Sequence, residues 1–111
     1  MRVLVCGGRD YFNYERVEEV LDSLQPIDVI IQGGASGADN QAAHYAALHW
    51  MDCEEYPAHW EEHGKKAGYI RNKQMLEEGK PDLVIAFPGG KGTANMVKLA
   101  REAGVEVKEI V

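Results

Sequence analysis

Cysteine is scarce in this chain: Cys6 and Cys53 are the only two in 111 residues, and neither belongs to a CxxC or Cys/His spacing. A disulfide framework is thereby excluded, and a thiolate metal centre has no ligand set. Both cysteines fall in apolar contexts, at the end of one apolar run and the start of another, and are expected to be buried free thiols. Long hydrophobic runs are also missing. The opening MRVLVCGGRD offers about five apolar residues in a row, short of the ~7–15 of a signal peptide and the ~20 of a membrane span. A cytoplasmic chain with no membrane partner is expected. Positive charge is in deficit, with 12 Lys plus Arg against 18 Asp plus Glu and a net charge of -6. Nucleic-acid binders rely on a general attraction to phosphate backbones, which this balance opposes, so a nucleic-acid partner is not expected. Finally, there is no linker, no low-complexity stretch and no charge block longer than Glu61-Glu62. One domain over residues 1–111 follows, and 45% hydrophobic content suffices for one core.

What the chain does have is a repeated unit: a short apolar run, a glycine-bearing turn, then a stretch of helical periodicity. That alternation predicts an α/β fold, a three-layer sandwich with a mostly parallel five-stranded sheet and helices on both faces. Strands are expected at Arg2–Cys6, Asp28–Ile31, Cys53–Tyr56, Leu83–Phe87 and Val105–Ile110. The first, second and fourth are Val/Ile/Leu runs without alternation, as suits strands buried on both faces. Helices are expected over about Tyr14–Leu24, Gly37–Trp50, Lys66–Gly79 and Thr93–Ala103. Val17, Val20, Leu21 and Leu24 form one apolar stripe, and an Ala-rich second helix (Ala38, Ala42, Ala43, Ala46, Ala47) can lie close to its sheet.

In open parallel sheets, ligands sit beyond the carboxyl ends of the strands, where strand order reverses. Three glycine-rich loops fall at such ends: Gly7-Gly8-Arg9-Asp10, Gly33-Gly34-Ala35-Ser36-Gly37-Ala38-Asp39 and Pro88-Gly89-Gly90-Lys91-Gly92-Thr93. Glycine lets an anion approach backbone N–H groups, and the helix that follows adds unpaired donors and the positive end of its dipole. Ser36 and Thr93 can cap their helices or bind phosphate oxygens, and Lys91 adds a cation. For any single loop a tight turn explains the glycines equally well, and three together are harder to dismiss. None of them matches GxxxxGK[ST] or GxGxxG, so neither a P-loop nor the usual dinucleotide fingerprint is present.

Other residues carry two readings each. Arg71 and Asn72, in Ala67-Gly68-Tyr69-Ile70-Arg71-Asn72-Lys73, either line a solvated helix face with Ile70 turned inward, or bring a guanidinium to a phosphate. His59 and His63 are spaced by four, but no third metal ligand accompanies them and Gly64 ends the pattern; no metal site is expected. Trp60 either stacks on a base or covers the core edge, and core cover is the expectation. Asp10 and Asp39 are the candidate catalytic groups. Such a pair could hold ribose hydroxyls, coordinate Mg²⁺ brought by a nucleotide, act as a base, or cap helices.

Read together, GGRD, GGASGAD, GYIRN and PGGKGT resemble the SLOG superfamily, specifically its small YspA-like (cpYpsA-related) proteins, over nearly the whole chain. More distantly the set resembles the LOG, or lysine-decarboxylase-like, proteins and DprA. The resemblance implies a Rossmann-like domain holding a nucleotide or nucleotide-derived ligand, for example an ADP-ribose-like species or a nucleoside monophosphate. It places Gly7, Gly8, Arg9 and Asp10 in one ligand-facing loop, and Gly33, Gly34, Ser36, Gly37 and Asp39 in a second. By the same resemblance, Arg71 and Asn72 would stand before a helix, and Gly89, Gly90, Gly92 and Thr93 would form the phosphate loop. LOG enzymes cut N-glycosidic bonds of nucleoside monophosphates and carry a catalytic glutamate after PGGxGT. That position is Met96 here, which can neither stabilise an oxocarbenium ion nor activate water. A binding module or sensor is therefore expected first, a nucleotide hydrolase second, and single-stranded DNA binding in the manner of DprA last. Homo-oligomerisation is expected, because a sheet domain of this size has limited surface to enclose a nucleotide alone.

Overall fold

Three Val/Ile/Leu runs form the middle of the sheet because both of their faces can be buried. The computed structural model describes Met1–Val111, and its strands are β1 (Arg2–Cys6), β2 (Val29–Gln32), β3 (Asp52–Glu55), β4 (Leu83–Ala86) and β5 (Glu106–Glu109). Their order is β3-β2-β1-β4-β5 and every pairing is parallel, so the sheet is wholly rather than mostly parallel. Val3 pairs with Ile30 on one side and Leu83 on the other, which puts β1 at the centre. The edges read differently: β3 (DCEE) and β5 (EVKE) are largely exposed and charged, which discourages pairing with another chain. Cys53 lies on that β3 edge and is exposed, contrary to the expectation of burial, whereas Cys6 at the end of β1 is buried as expected.

Helices α1 (Tyr14–Asp22) and α2 (Ala38–Leu48) cover one face, with α4 (Ala67–Gly79) and α5 (Lys91–Glu102) on the other. Asn13 caps α1 by accepting the Arg16 N–H at 3.2 Å. Val17, Val20 and Leu21 of its stripe are buried, and Leu24 packs partly buried against them. In α2, Ala38, Ala42 and Ala46 are fully buried, so the backbone sits close to the sheet, while Ala47 points outward. Alternate residues of the central strands feed two cores. Val3, Val5, Ile30 and Ile85 meet α1 and α2, and Leu4, Cys6, Ile31 and Val84 meet α4 and α5. This three-layer arrangement is Rossmann-like. Between β3 and α4, where no helix is expected before Lys66, stand a one-turn helix α3 (Trp60–His63) and a 3₁₀ turn (Gly64–Lys66). Four residues bounded by Gly64 at φ +58° are too few to show a period in sequence.

Candidate functional site

Strand order reverses direction between β1 and β4, so the helices that follow these two strands leave on opposite faces of the sheet and a crevice opens between them. Backbone hydrogen bonds lock the three glycine loops into one floor. The Gly8 N–H donates to Pro88 O at 2.9 Å, and Gly8 O accepts from the Tyr11 and Ala38 N–H groups at 3.1 and 3.2 Å. Ser36 Oγ donates to Arg9 O at 3.3 Å. Two glycines are required by these approaches. Gly37 has φ +77°, and a Cβ there would lie 2.2 Å from Gly8 O; a Cβ on Gly89 would lie 2.2 Å from Thr93 Oγ1 and 2.7 Å from Gly8 N. Both polar groups of Gly8 are thus spent on holding the loops, so Gly8 shapes the floor and its N–H is not available to a ligand.

The third loop differs. Helix α5 starts at Lys91 with Gly90 as its cap and no side chain satisfying its first turn. The N–H groups of Gly89, Gly90, Lys91, Gly92 and Thr93 reach no acceptor within the protein. Consecutive free donors at the positive end of a helix dipole are an arrangement that attracts anions.

These loops, with α3 and the start of α4, enclose a cleft of about 710 Å³, within the range of small-molecule sites. Its lining reverses the charge of the chain. Arg9, Lys65, Arg71 and Lys91 face it against two carboxylates, Asp10 and Asp39, although the whole chain has 12 basic and 18 acidic residues. Tyr11, Trp60 and Tyr69 supply aromatic surface. Tyr11 stacks on Phe87 with ring centroids 5.2 Å apart, and the Arg9 guanidinium lies 5.6 Å from the centre of the Trp60 ring.

Arg71, Asn72 and Asp39 make the polar frame between loops. Asn72 is buried, and its Nδ2 donates to Gly92 O at 3.1 Å and to Asn95 Oδ1 at 3.0 Å. Arg71 Nε donates to Asn72 Oδ1 at 3.2 Å, and its Nη1 to Gly33 O at 2.6 Å and Tyr56 O at 3.4 Å. The solvated-face reading of Arg71 and Asn72 is therefore excluded. Asp39 is buried, and its Oδ2 accepts the N–H groups of Gly33 and Ala35 at 3.1 and 3.3 Å. Burial pushes its carboxyl up to about 6, although those N–H groups and the Arg71 charge pull the other way. Burial likewise lowers Arg71, with Asp39 opposing the shift. Cys6, at the cleft floor, is pushed up to about 12 by burial and so stays a neutral thiol.

A family model described as YspA, cpYpsA-related SLOG family matches residues 1–63. A protein named Gene 61 protein, from Mycobacterium phage D29, is 37% identical over 120 residues, covering 96% of this chain and 93% of its own length. The chain belongs to the YspA, cpYpsA-related SLOG family. Membership suggests a nucleotide-related function; the phage relative's name states none.

Within this SLOG domain, the cleft gathers Gly7, Gly8, Arg9, Asp10, Asp39, Arg71, Asn72, Gly89, Gly90, Lys91, Gly92 and Thr93. Gly33, Gly34 and Ser36 line instead an adjoining cavity of about 300 Å³, and Gly37 lines neither, sitting behind the floor. Neither Ser36 nor Thr93 caps its helix: the N-caps of α2 and α5 are Gly37 and Gly90. Asp10 and Asp39 line one cleft, and no group of three His, Cys, Asp or Glu able to hold a metal is present. Met96 is fully buried among Leu4, Cys6 and Val84, and is not part of the cleft wall. Trp60 is half-exposed on the cleft rim and does not cover the core, and Ile70 is exposed and not turned inward. Lys65, Tyr11 and Tyr69 were not singled out from sequence. Tyr11 directly follows GGRD and Tyr69 lies within GYIRN, so both were in reach of the sequence, whereas Lys65 comes to the cleft only through the 3₁₀ turn.

Proposed function

We propose that this domain binds a nucleotide or nucleotide-derived ligand in the cleft, as a sensor or signalling module. One observation carries the reading most directly: Gly89–Thr93 at the start of α5, whose N–H groups have no protein acceptor, line a cleft with a net basic lining in an otherwise acidic protein. The phosphate would sit on that cradle, next to Lys91 and Arg71, with the half-exposed Trp60 and Tyr69 rings offered to a base. Membership of the SLOG family supports the same ligand class. Isothermal titration against nucleoside mono-, di- and triphosphates and ADP-ribose tests it. Saturable binding is expected, and no heat from any phosphate compound at millimolar concentration would refute it.

A second reading rests on Asp39, whose carboxyl at about 6 is poised to exchange a proton near neutral pH. In that reading the domain hydrolyses an N-glycosidic or phosphoanhydride bond, with Asp39 as acid or base and Arg71 on phosphate. Chromatography of bound nucleotides, with and without Mg²⁺, separates the two: release of free base or phosphate makes it an enzyme, and unchanged nucleotide makes it a sensor. Two copies are expected to associate, since a sheet domain of this size has limited surface to enclose a nucleotide alone. Light scattering should return a dimer mass, and a monomer at tens of micromolar would contradict it.

A further inference from the structure

The cleft does not end at Arg71. The adjoining cavity of about 300 Å³ shares Arg9, Ala35, Trp60 and Arg71 with it, so the two spaces meet at a wall bearing two guanidiniums. A continuous hydrogen-bonded track runs through that wall. Gly92 O accepts from Asn72, Asn72 Oδ1 accepts from Arg71 Nε, and Arg71 Nη1 donates to Gly33 O in the second cavity. Arg71 Nη2 has no protein partner, and the Arg9 guanidinium makes neither a hydrogen bond nor an ion pair, lying only over Trp60. Unspent guanidinium donors at a junction match an anionic linker that passes from one space to the other. Beyond that shared wall the second cavity is lined by small, uncharged residues, Gly33, Gly34, Ser36, Pro57 and Ala58. Its chemistry suits a compact, uncharged, hydroxyl-bearing group.

We infer that the ligand has two arms: a nucleoside diphosphate esterified to a second, sugar-like group, with one phosphate on the Gly89–Thr93 cradle, the other at the Arg9–Arg71 junction and the second group in the side cavity. This rests on the nucleotide-binding reading above and narrows it. A nucleoside mono- or diphosphate would occupy the main cleft alone.

Paired ligands test the inference without knowledge of the base: ADP against ADP-ribose, UDP against UDP-glucose, GDP against GDP-mannose, each titrated into the full chain by calorimetry. The ester carries less negative charge than the free diphosphate, so a preference for it cannot come from the cations and must come from the second arm. In the pair whose base binds, the ester is expected to bind about tenfold tighter or better. Ala58→Trp fills the side cavity from a partly exposed position and is expected to bring the pair close to parity while the free diphosphate keeps its affinity. Ala58→Leu, a smaller block, should give an intermediate ratio and covers the case in which the larger variant does not fold. Equal binding of diphosphate and ester by the unaltered protein, or an equal loss of both in the Ala58 variants, overturns the inference and leaves nucleotide binding standing. Failure of every compound to bind overturns both.

Discussion

Replacing Asp39 by asparagine should stabilise the unliganded protein at neutral pH, although it removes a charge that accepts two backbone hydrogen bonds. The carboxyl is buried at 6% exposure, and its pKa stands at about 6 against an ordinary 3.8. A carboxyl raised on folding means that the folded protein holds the proton more tightly than the unfolded chain. Above pH 6 the group is ionised in both states, and the folded state bears the desolvation of a buried charge. Below about 4 it is protonated in both, and that burden is gone. The contribution of Asp39 to stability therefore rises as pH falls from about 6 to about 4. A shift of about 2 units corresponds to roughly 3 kcal/mol. An amide resembles the protonated form and keeps an oxygen for the Gly33 or Ala35 N–H, so a gain of about 2 kcal/mol at pH 7 is expected for Asp39→Asn. Urea unfolding of both proteins between pH 4 and 8 reads it, because the difference cancels the other carboxylates. The two curves should draw together as pH falls from 6 to 4 and stand fully apart above 6, with the variant the more stable. A variant that is less stable at pH 7, by an amount that does not change with pH, would refute the reasoning.

Three further outcomes follow from the same geometry. Gly37→Ala places a methyl group 2.2 Å from Gly8 O at φ +77°, and should lower stability in urea by about 2–4 kcal/mol; a loss under 1 kcal/mol would mean the loops are not locked together. Arg71→Ala leaves Gly33 O without its donor and Asp39 without its counter-charge, and should cost about 1–3 kcal/mol in urea unfolding at pH 7 while moving the Asp39 titration further upward; an unchanged titration would separate the two groups. Iodoacetamide on the native protein should label the exposed Cys53 alone, slowly, since burial of its sulfur raises that thiol too, and mass spectrometry showing Cys6 labelled first would place Cys6 outside the core.

The central sheet was readable because β1, β2 and β4 are apolar without alternation, and only strands buried on both faces tolerate that. The third glycine loop was readable for a similar reason: PGGKGT before a helix has few uses other than a tight turn or an anion. The exposure of Cys53 was legible and misjudged: its neighbours Asp52, Glu54 and Glu55 are charged, as suits the edge strand that β3 is. What escaped was set by tertiary contact. Trp60 and Lys65 reach the cleft only because α3 and the 3₁₀ turn fold back over it, and a one-turn helix leaves no periodic signal. The work done by Gly8, Gly37 and Asp39 in joining loops was likewise hidden, since their partners lie a long way off in sequence or in the backbone of their own loop.

The most direct test of the account is a thermal-shift screen of the unaltered protein and Gly92→Val against nucleotides, ADP-ribose, NAD and inorganic phosphate. A side chain at Gly92 meets no protein atom within 4 Å and extends from the cleft wall at the start of α5, so the variant should fold normally while obstructing the anion cradle. A ligand at 100 times its dissociation constant should stabilise the unaltered protein by about 2.7 kcal/mol, a rise in melting temperature of roughly 10 °C, and should leave Gly92→Val unmoved. No shift from any phosphate compound, or the same shift in both proteins, would contradict the claim that the loop from Pro88 to Thr93 is a phosphate site.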